Sequence, residues 1–107
     1  MPYKNNYPKK KINEIDPDVD YKVKVIGLIV DKKEDTIVID DGESKVRVFV
    51  DSDIFEKIGI HQLVAVFGST LPSDRGFDIK ADVIQDLTGL DLNLYKKVDE
   101  LYKKLGV

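Results

Sequence analysis

The 107-residue sequence contains no cysteine and no tryptophan, and its only histidine is His61. Without cysteine the chain has no disulfide, no thiolate metal site and no thiol nucleophile. One histidine without cysteine partners does not supply the ligands of a zinc site. No apolar run approaches the roughly 20 residues of a membrane-spanning helix, and none follows the basic N-terminus as in a secretory signal. We therefore expect a cytoplasmic protein.

Charges of both signs are abundant but unevenly distributed, and the formal net charge is -3. Residues 1–13 contain four lysines and no acidic residue, whereas residues 14–90 contain 17 acidic residues against nine basic ones. A domain that binds nucleic acid without sequence preference is usually basic, because neutralising phosphates supplies most of its affinity. We therefore expect any nucleic-acid binding by this chain to be local and weak.

The N-terminal residues 1–13 are polar and show no periodic apolar face. They are predicted to form a flexible basic arm ahead of the domain. Their lysines alternate with Tyr3 and Tyr7, a pattern that can touch phosphates and bases, but a solubilising tail is the simpler interpretation.

From residue 21 the apolar residues recur with the period of two that is typical of β-strands. The pattern predicts five strands, at residues 21–30, 36–39, 45–50, 63–69 and 77–86, with a short helix at 53–58. Gly27 lies inside the first strand and predicts a bulge or bend there. Five strands with a helix between the third and fourth are the order of an OB-fold. We therefore predict an all-β, five-stranded Greek-key barrel over residues 14–88, followed by one C-terminal α-helix.

Residues 89–107 change to the period of an amphipathic α-helix. Thr88 and Asp91 resemble a capping box, and Gly106 stands where a helix would end. A helix this short is marginal alone in water, so its apolar stripe must pack against something. It either folds back across an open end of its own barrel or binds a partner. The stripe and its two flanking tyrosines consist of Leu94, Tyr95, Val98, Leu101, Tyr102 and Leu105.

Four segments carry a resemblance to a known family: VIGLI at residues 25–29, IVIDDG at 37–42, VRVFVD at 46–51 and VAVFG at 64–68. In this order and spacing they resemble the OB domain of the middle subunit of replication protein A and its relatives, which include the Stn1-like telomere proteins. The resemblance covers residues 19–105 and includes a helix after the barrel. It implies a barrel that contacts single-stranded DNA and a C-terminal helix that joins a bundle with partner subunits.

The resemblance also implies two site residues on the third strand. Phe49 stands where the family has an aromatic that stacks on a base, and Arg47 matches a basic residue on the same face. The family's second aromatic lies between the fourth and fifth strands, where residues 70–76 contain none. Lys45, Arg47 and Phe49 alternate with three valines, so they lie on the outer wall if the valines fill the barrel. Alternatively, Phe49 packs under a loop or the terminal helix. Phe77 is either a core residue, by its alternation, or part of the groove's rim.

Five further basic residues are candidates for nucleic-acid contacts. Lys22 and Lys24 share the outer side of the first strand, although solvated faces commonly look the same. Lys32 and Lys33 lie in the first turn and Arg75 lies between the fourth and fifth strands. These are the two loops that flank the groove of an OB-fold.

No constellation of residues points to catalysis or to a metal. Asp16, Asp18 and Asp20 have the spacing of the first ligands in a calcium loop, but Tyr21 replaces the glycine that such a loop requires. The two aspartates at residues 40–41 precede a glycine and are explained as turn formers. We therefore predict no enzymatic activity, no cofactor and no metal site.

Two functions from different classes are consistent with these features. The first is a non-catalytic subunit of an archaeal-type replication protein A complex, acting in DNA replication and repair at the nucleoid. Such a subunit binds single-stranded DNA weakly and contacts other subunits through its C-terminal helix, or a second copy of itself when alone. The second is an OB-fold interaction or scaffold module without a nucleic-acid role, which the acidic body and the missing loop aromatic favour. An RNA-binding OB domain is a third option, against which the terminal helix argues.

Overall fold

The computed structural model describes residues 7–87, which form five β-strands and one short α-helix. The strands are β1 (Lys22–Lys33), β2 (Thr36–Asp40), β3 (Lys45–Phe49), β4 (Leu63–Ser73) and β5 (Gly76–Asp86), and the helix is α1 (Ser52–Lys57). The predicted C-terminal helix at residues 89–107 lies outside the described residues, as do residues 1–6 of the predicted arm.

The five strands close into one barrel in the order β1-β2-β3-β5-β4. Neighbouring strands are antiparallel except β3 and β5, whose parallel pairing brings Val48 beside Ile79. Both of these side chains are fully buried, because alternate residues of every strand point into the core. The prediction of a five-stranded barrel with a short helix after the third strand is therefore confirmed. Within residues 7–87, no helix is long and apolar enough to cross a membrane.

Two glycines allow neighbouring strands of the barrel to approach each other closely. A Cβ atom on Gly27 would lie 2.5 Å from the backbone oxygen of Asp40 on β2, closer than real side chains approach. β1 pairs with β4 as far as Leu28 and with β2 from Leu28 onward, so Gly27 lies next to the point where the strand changes partner. The irregularity in the register of β1 lies between Ile29 and Asp31, not at Gly27 as predicted. Gly68 has the same role in β4, because a side chain there would run into the backbone of Lys80 beside a β-bulge.

Described residues close the barrel core at both ends. At one end, a 3₁₀ turn (Ile12–Glu14) places Ile12 in the core, and the Ile12 amide donates to the Asp41 carboxylate (2.9 Å) in the turn before β3. At the other end, α1 follows β3 and packs Phe55 against the core. Because these two elements meet opposite ends of the same strand, they close opposite ends of the barrel.

Residues 7–13 lie on the barrel instead of forming the described part of a flexible arm. The Lys24 amide of β1 donates to the Pro8 carbonyl (2.9 Å), and the Lys10 amide donates to the Lys24 carbonyl (3.0 Å). Ile12, inside the predicted arm, is only 5% exposed. The first half of β1 has a backbone edge that β2 does not use, and the N-terminal residues pair with it. Local periodicity could not reveal this contact, because the partner edge exists only once the barrel is formed.

Two hairpins are longer than predicted. β1 continues to Lys33 and β4 to Ser73, so the connections to β2 and β5 shrink to tight turns. Polar residues near a hairpin tip resemble a loop in the sequence. The backbone hydrogen bonds between the two strands nevertheless continue there, because the polar side chains can point into water. Positive φ angles at Glu34 (58°) and Gly76 (116°) shape the two turns.

The aspartates explained as turn formers have that role in the structure. Asp40 accepts a hydrogen bond from the Gly42 amide (2.8 Å), and Asp41 accepts one from the Ser44 amide (2.9 Å). In the segment that mimics a calcium loop, Asp16 accepts a hydrogen bond from the Asp18 amide (2.9 Å). These carboxylates therefore stabilise local backbone turns.

Candidate nucleic-acid interface

The outer side chains of β2 and β3 form one continuous surface, which we call the β2–β3 face. The register places Thr36 opposite Phe49, Val38 opposite Arg47 and Asp40 opposite Lys45. The valines that alternate with the three β3 residues are buried in the core. The structure thus brings Lys45, Arg47 and Phe49 together on the outer wall, where their alternation placed them.

Arg47 is held by a carboxylate from the neighbouring strand. Its Nη2 atom lies 2.9 Å from Asp78 Oδ2, and its Nε atom donates to Asp78 Oδ1 at 3.3 Å. Asp78 is only 7% exposed, whereas the guanidinium reaches the surface. The hydrogen bond from Arg47 to Asp78, together with the charge of that carboxylate, raises the pKa of Arg47. The ion pair fixes the guanidinium in one orientation.

Phe49 is half-buried at the end of β3 and lies beside the guanidinium of Arg47. The Arg47 guanidinium carbon is 5.4 Å from the centre of the Phe49 ring. Lys80 neighbours Phe49 on β5 through the parallel pairing, and its Nζ atom lies 3.0 Å from Asp51 Oδ1. An aromatic ring on an outer sheet face with a cation beside it is an arrangement that can stack a base while the cation contacts a phosphate.

A cleft of about 240 Å³ adjoins Arg47 where the β4–β5 hairpin meets the β2–β3 face. Its lining consists of Val38, Lys45, Val46, Arg47, Arg75, Phe77 and Asp78. The cleft is smaller than the roughly 300–1,000 Å³ of small-molecule pockets, so it suits one part of an extended ligand. Arg75 therefore joins the same site as Arg47. Phe77 packs against the core and also lines the cleft, so both alternatives for Phe77 hold in part.

The two lysines of the first hairpin are not part of this cleft. Lys32 Nζ donates to the carbonyl oxygens of Phe55 (2.7 Å) and Ile58 (2.6 Å), and it lies 4.3 Å from the centre of the Phe55 ring. These carbonyls are at the C-terminal end of α1, where helix carbonyls lack partners within the helix. Lys32 therefore stabilises α1, while Lys33 is exposed at the end of β1.

Lys22 and Lys24 lie on a different part of the wall, on the outer side of β1 where it pairs with β4. Lys22 Nζ is 3.1 Å from Asp82 Oδ2, and Lys24 Nζ is 5.3 Å from the centre of the Phe67 ring. The structure thus divides the predicted nucleic-acid residues into separate groups. The group that lies together on the β2–β3 face and its cleft consists of Lys45, Arg47, Phe49 and Arg75.

Asp82 ties the N-terminal residues to the wall formed by β1 and β4. Its carboxylate accepts hydrogen bonds from the Tyr7 hydroxyl (2.8 Å) and from Lys22 Nζ (3.1 Å). Partial burial acts to raise the pKa of Asp82, but the hydrogen bonds from Tyr7 and Lys22 outweigh it, and the pKa is lowered overall. The hydrogen bond to Asp82 also raises the pKa of Tyr7. The Tyr7 ring meets Phe67 edge-on, with 5.6 Å between the ring centres.

The cations of the β2–β3 face have acidic neighbours. Arg47 pairs with Asp78, and Lys45 lies opposite Asp40 on β2. The face is therefore close to neutral, which limits the attraction of phosphates. Sequence reasoning missed Asp78. In the sequence, Asp78 is a single aspartate between the apolar residues at 77 and 79. That pattern does not identify Arg47 as its partner, because the two residues meet only through the parallel pairing of β3 with β5.

No protein-family model and no curated protein matches the sequence. Solved structures do match the fold. One is a chain of the S. pombe Stn1-Ten1 complex, with a TM-score of 0.70, 22% identity and 92% of each chain covered. Another is the telomere capping protein Ten1 from Saccharomyces pombe, with a TM-score of 0.71, 22% identity, and 92% of this chain and 98% of that chain covered. A third is a chain of a replication protein A heterotrimer bound to single-stranded DNA, with a TM-score of 0.59, 13% identity, and 80% and 73% covered.

These likenesses agree with the resemblance found in the sequence, at the level of the fold. The barrel order, the parallel closure between β3 and β5 and the helix after β3 are shared features of an OB-fold. The chain is an OB-fold barrel whose structural neighbours include the Stn1-Ten1 complex and the replication protein A heterotrimer.

Proposed function

We propose that this chain is a non-catalytic subunit of a replication protein A-like complex that binds single-stranded DNA across its β2–β3 face. The observation that carries the proposal is the half-buried Phe49 ring on the outer wall, beside an arginine that a buried carboxylate holds in place. OB-folds bind oligonucleotides on this face, between the loops that join β1 to β2 and β4 to β5.

The proposed binding mode assigns separate tasks to the aromatic ring and to the cations. Phe49 stacks on one base, which is worth about 1–3 kcal/mol and does not depend on the identity of the base. Lys45, Arg47 and Arg75 contact phosphates along the cleft. Three such contacts to a single strand correspond to a slope of log K against log salt of about -2. Because the neighbouring carboxylates oppose phosphates, we expect weak binding.

Fluorescence anisotropy with labelled oligo-dT tests this proposal. Phe49→Ala should weaken binding about 5- to 150-fold, the equivalent of one lost stack, while the thermal midpoint changes little. Arg75→Gln should weaken binding less than Phe49→Ala does. It should also reduce the magnitude of the slope of log K against log salt by about 0.7. The matched controls are Tyr21→Ala, an exposed aromatic ahead of β1, and Lys57→Gln, a cation on α1; both should bind like the parent.

The same titrations distinguish the alternatives. If the parent does not bind oligo-dT even at low salt, the proposal is wrong and the interaction-module hypothesis replaces it. That hypothesis is supported by the near-neutral charge of the β2–β3 face and by the absence of an aromatic in residues 70–76. Tighter binding of oligo-U than of oligo-dT would favour the RNA-binding option.

We further propose that the chain assembles with other OB-fold subunits through the predicted C-terminal helix, and that it acts in DNA replication or repair in the cytoplasm. The structural neighbours that are themselves parts of complexes support assembly. Copurification of the tagged protein from its native cell should recover a larger OB-fold subunit. Leu101→Glu should lose that subunit, whereas Lys103→Glu, a polar position next to the stripe, should keep it. Recovery of the larger subunit with Leu101→Glu would place the contact elsewhere.

A further inference from the structure

A second apolar surface lies on the outside of the barrel. It consists of outward-facing residues of β1 and β4, and we call it the β1–β4 face: Ile26, Leu28, Leu63, Ala65 and Phe67. Ala65 is 1% exposed and Phe67 4%, as little as residues inside the core. Side chains on an outer sheet face reach water unless another layer covers them. The burial of these residues therefore requires a cover.

The described residues supply only the margins of this cover. Tyr7 packs against Phe67 at one end of the face. Leu87 packs at the other end, where its amide donates to the Leu63 carbonyl (2.9 Å). Ala65 lies midway between these ends on β4, opposite Ile26. Within residues 7–87, no further apolar residue from outside the barrel strands packs against this cluster.

The chain itself has a segment that fits the middle of the face. It leaves the described region at Leu87, which already packs at the margin, and 20 residues follow. Their apolar stripe runs from Leu94 to Leu105, which spans about 16 Å as an α-helix. Leu63 to Phe67 spans about 13 Å along β4, and Tyr7 extends the face beyond Phe67. The length and the apolar character of the two surfaces therefore match.

The ends of the barrel do not compete for this segment. Ile12 closes one end and α1 closes the other, so folding back across an open end is not available to it. We infer that the β1–β4 face is the docking site of the chain's own C-terminal segment, residues 88–107, which packs through Leu94, Val98, Leu101 and Leu105. The inference concerns the isolated chain and does not rest on DNA binding. A partner subunit that takes the same stripe competes with this intramolecular contact.

Paramagnetic relaxation enhancement tests the docking site directly. Because the chain has no cysteine, one introduced cysteine carries the spin label at a single known position. Val83→Cys is the labelling site, since Val83 is 45% exposed and lies beside Phe67 on β5. The matched control is Lys45→Cys on the β2–β3 face. We expect the Val83 label to broaden the amide signals of residues 91–105 and the Lys45 label to leave them unchanged. Adding Leu101→Glu should abolish the broadening while the signals of residues 7–87 keep their dispersion.

A mixed sample identifies the occupant of the face. Spin-labelled protein without ¹⁵N is mixed with ¹⁵N protein without label, so that only contacts between molecules cause broadening. No broadening in this mixture, together with broadening within the singly labelled chain, supports the inference. Broadening in the mixture would assign the face to a second copy and overturn it, as would the absence of any effect from the Val83 label. The measurement within the singly labelled chain and the measurement in the mixture both use proteins that keep Leu101. They therefore identify the occupant of the β1–β4 face even if the Leu101→Glu variant does not fold.

Discussion

Arg47 and Asp78 are joined by two hydrogen bonds, of 2.9 and 3.3 Å, across the parallel contact between β3 and β5. The carboxylate is buried and the guanidinium is at the surface, so the pair holds a cation in place from behind. Asp78 thereby has two opposite influences on a bound strand. It orders Arg47 beside Phe49, and it places a negative charge near the phosphates. Their balance can be measured.

The first prediction concerns this balance. In Asp78→Asn the side chain keeps its shape but loses its charge, and Arg47 loses its fixed orientation. We expect oligo-dT binding to weaken about three- to tenfold, because a carboxylate that is itself buried and holds the guanidinium by two hydrogen bonds orders Arg47 more than it repels the phosphates. Anisotropy at two salt concentrations measures the change. Asp74→Asn, at the exposed tip of the β4–β5 hairpin, is the control in which repulsion alone is removed and binding should strengthen slightly. Stronger binding by Asp78→Asn would show that the repulsion between Asp78 and the phosphates outweighs the ordering of Arg47.

The second prediction concerns which side chains of β3 face the core. Val48 is fully buried, so Val48→Asp places an unpaired carboxylate in the core. The cost should exceed about 4 kcal/mol, which is most of the stability of a domain this small. Circular dichroism should show an unfolded chain. Lys45→Asn changes the outer side of the same strand and should melt like the parent. A folded, cooperatively melting Val48→Asp protein would contradict the barrel register.

The third prediction concerns the close approach of β1 and β2 at Gly27. An added methyl group meets the Asp40 backbone and the Ile39 side chain, so β1 and β2 must separate there. Gly27→Ala should lower the free energy of unfolding by about 1–3 kcal/mol, measured by urea titration. Gly59→Ala is the control, because it adds the same methyl group where no atom outside the neighbouring residues lies within 4 Å of the new Cβ. The free energy of unfolding of this variant should stay within about 0.5 kcal/mol of that of the parent. If Gly27→Ala and Gly59→Ala lowered the free energy of unfolding equally, the close approach of β1 and β2 would not explain the loss of stability at Gly27.

The fourth prediction concerns the contact between Tyr7 and Asp82. The pKa of Asp82 is lowered in the folded chain, so its contribution is present above the unfolded pKa of about 3.9 and is lost as pH falls through the folded value. The pKa of Tyr7 is raised, so its contribution is present below about pH 10 and is lost at higher pH. Docking of the N-terminal residues should therefore persist at neutral pH and weaken in acid.

NMR titration of the Lys24 amide, which donates to the Pro8 carbonyl, reports this docking. Its chemical shift should move as the pH falls below about 4. In Asp82→Asn the acid transition should disappear from this signal. The control signal is the Ile29 amide, which is bonded to Gln62 within the barrel, and it should not follow the same transition. A Lys24 shift that is constant in acid would contradict the role of Asp82.

Much of the barrel could be predicted from the sequence, because alternating apolar residues specify which side of each strand is buried. Val46 and Val48 were assigned to the core and Arg47 to the outer wall on this basis, and the structure agrees. The alternation did not predict how far β1 and β4 extend, because the polar residues near the hairpin tips satisfy a strand and a loop equally well.

The sequence by itself determined the buried side of each strand and the outward position of Phe49, because these depend on local periodicity. Only the tertiary structure decided which charges meet. Asp78 reaches Arg47, and Lys32 reaches the end of α1, across contacts between segments that are more than 20 residues apart. Such contacts depend on strand order and register around the closed barrel, and no local pattern in the chain encodes them.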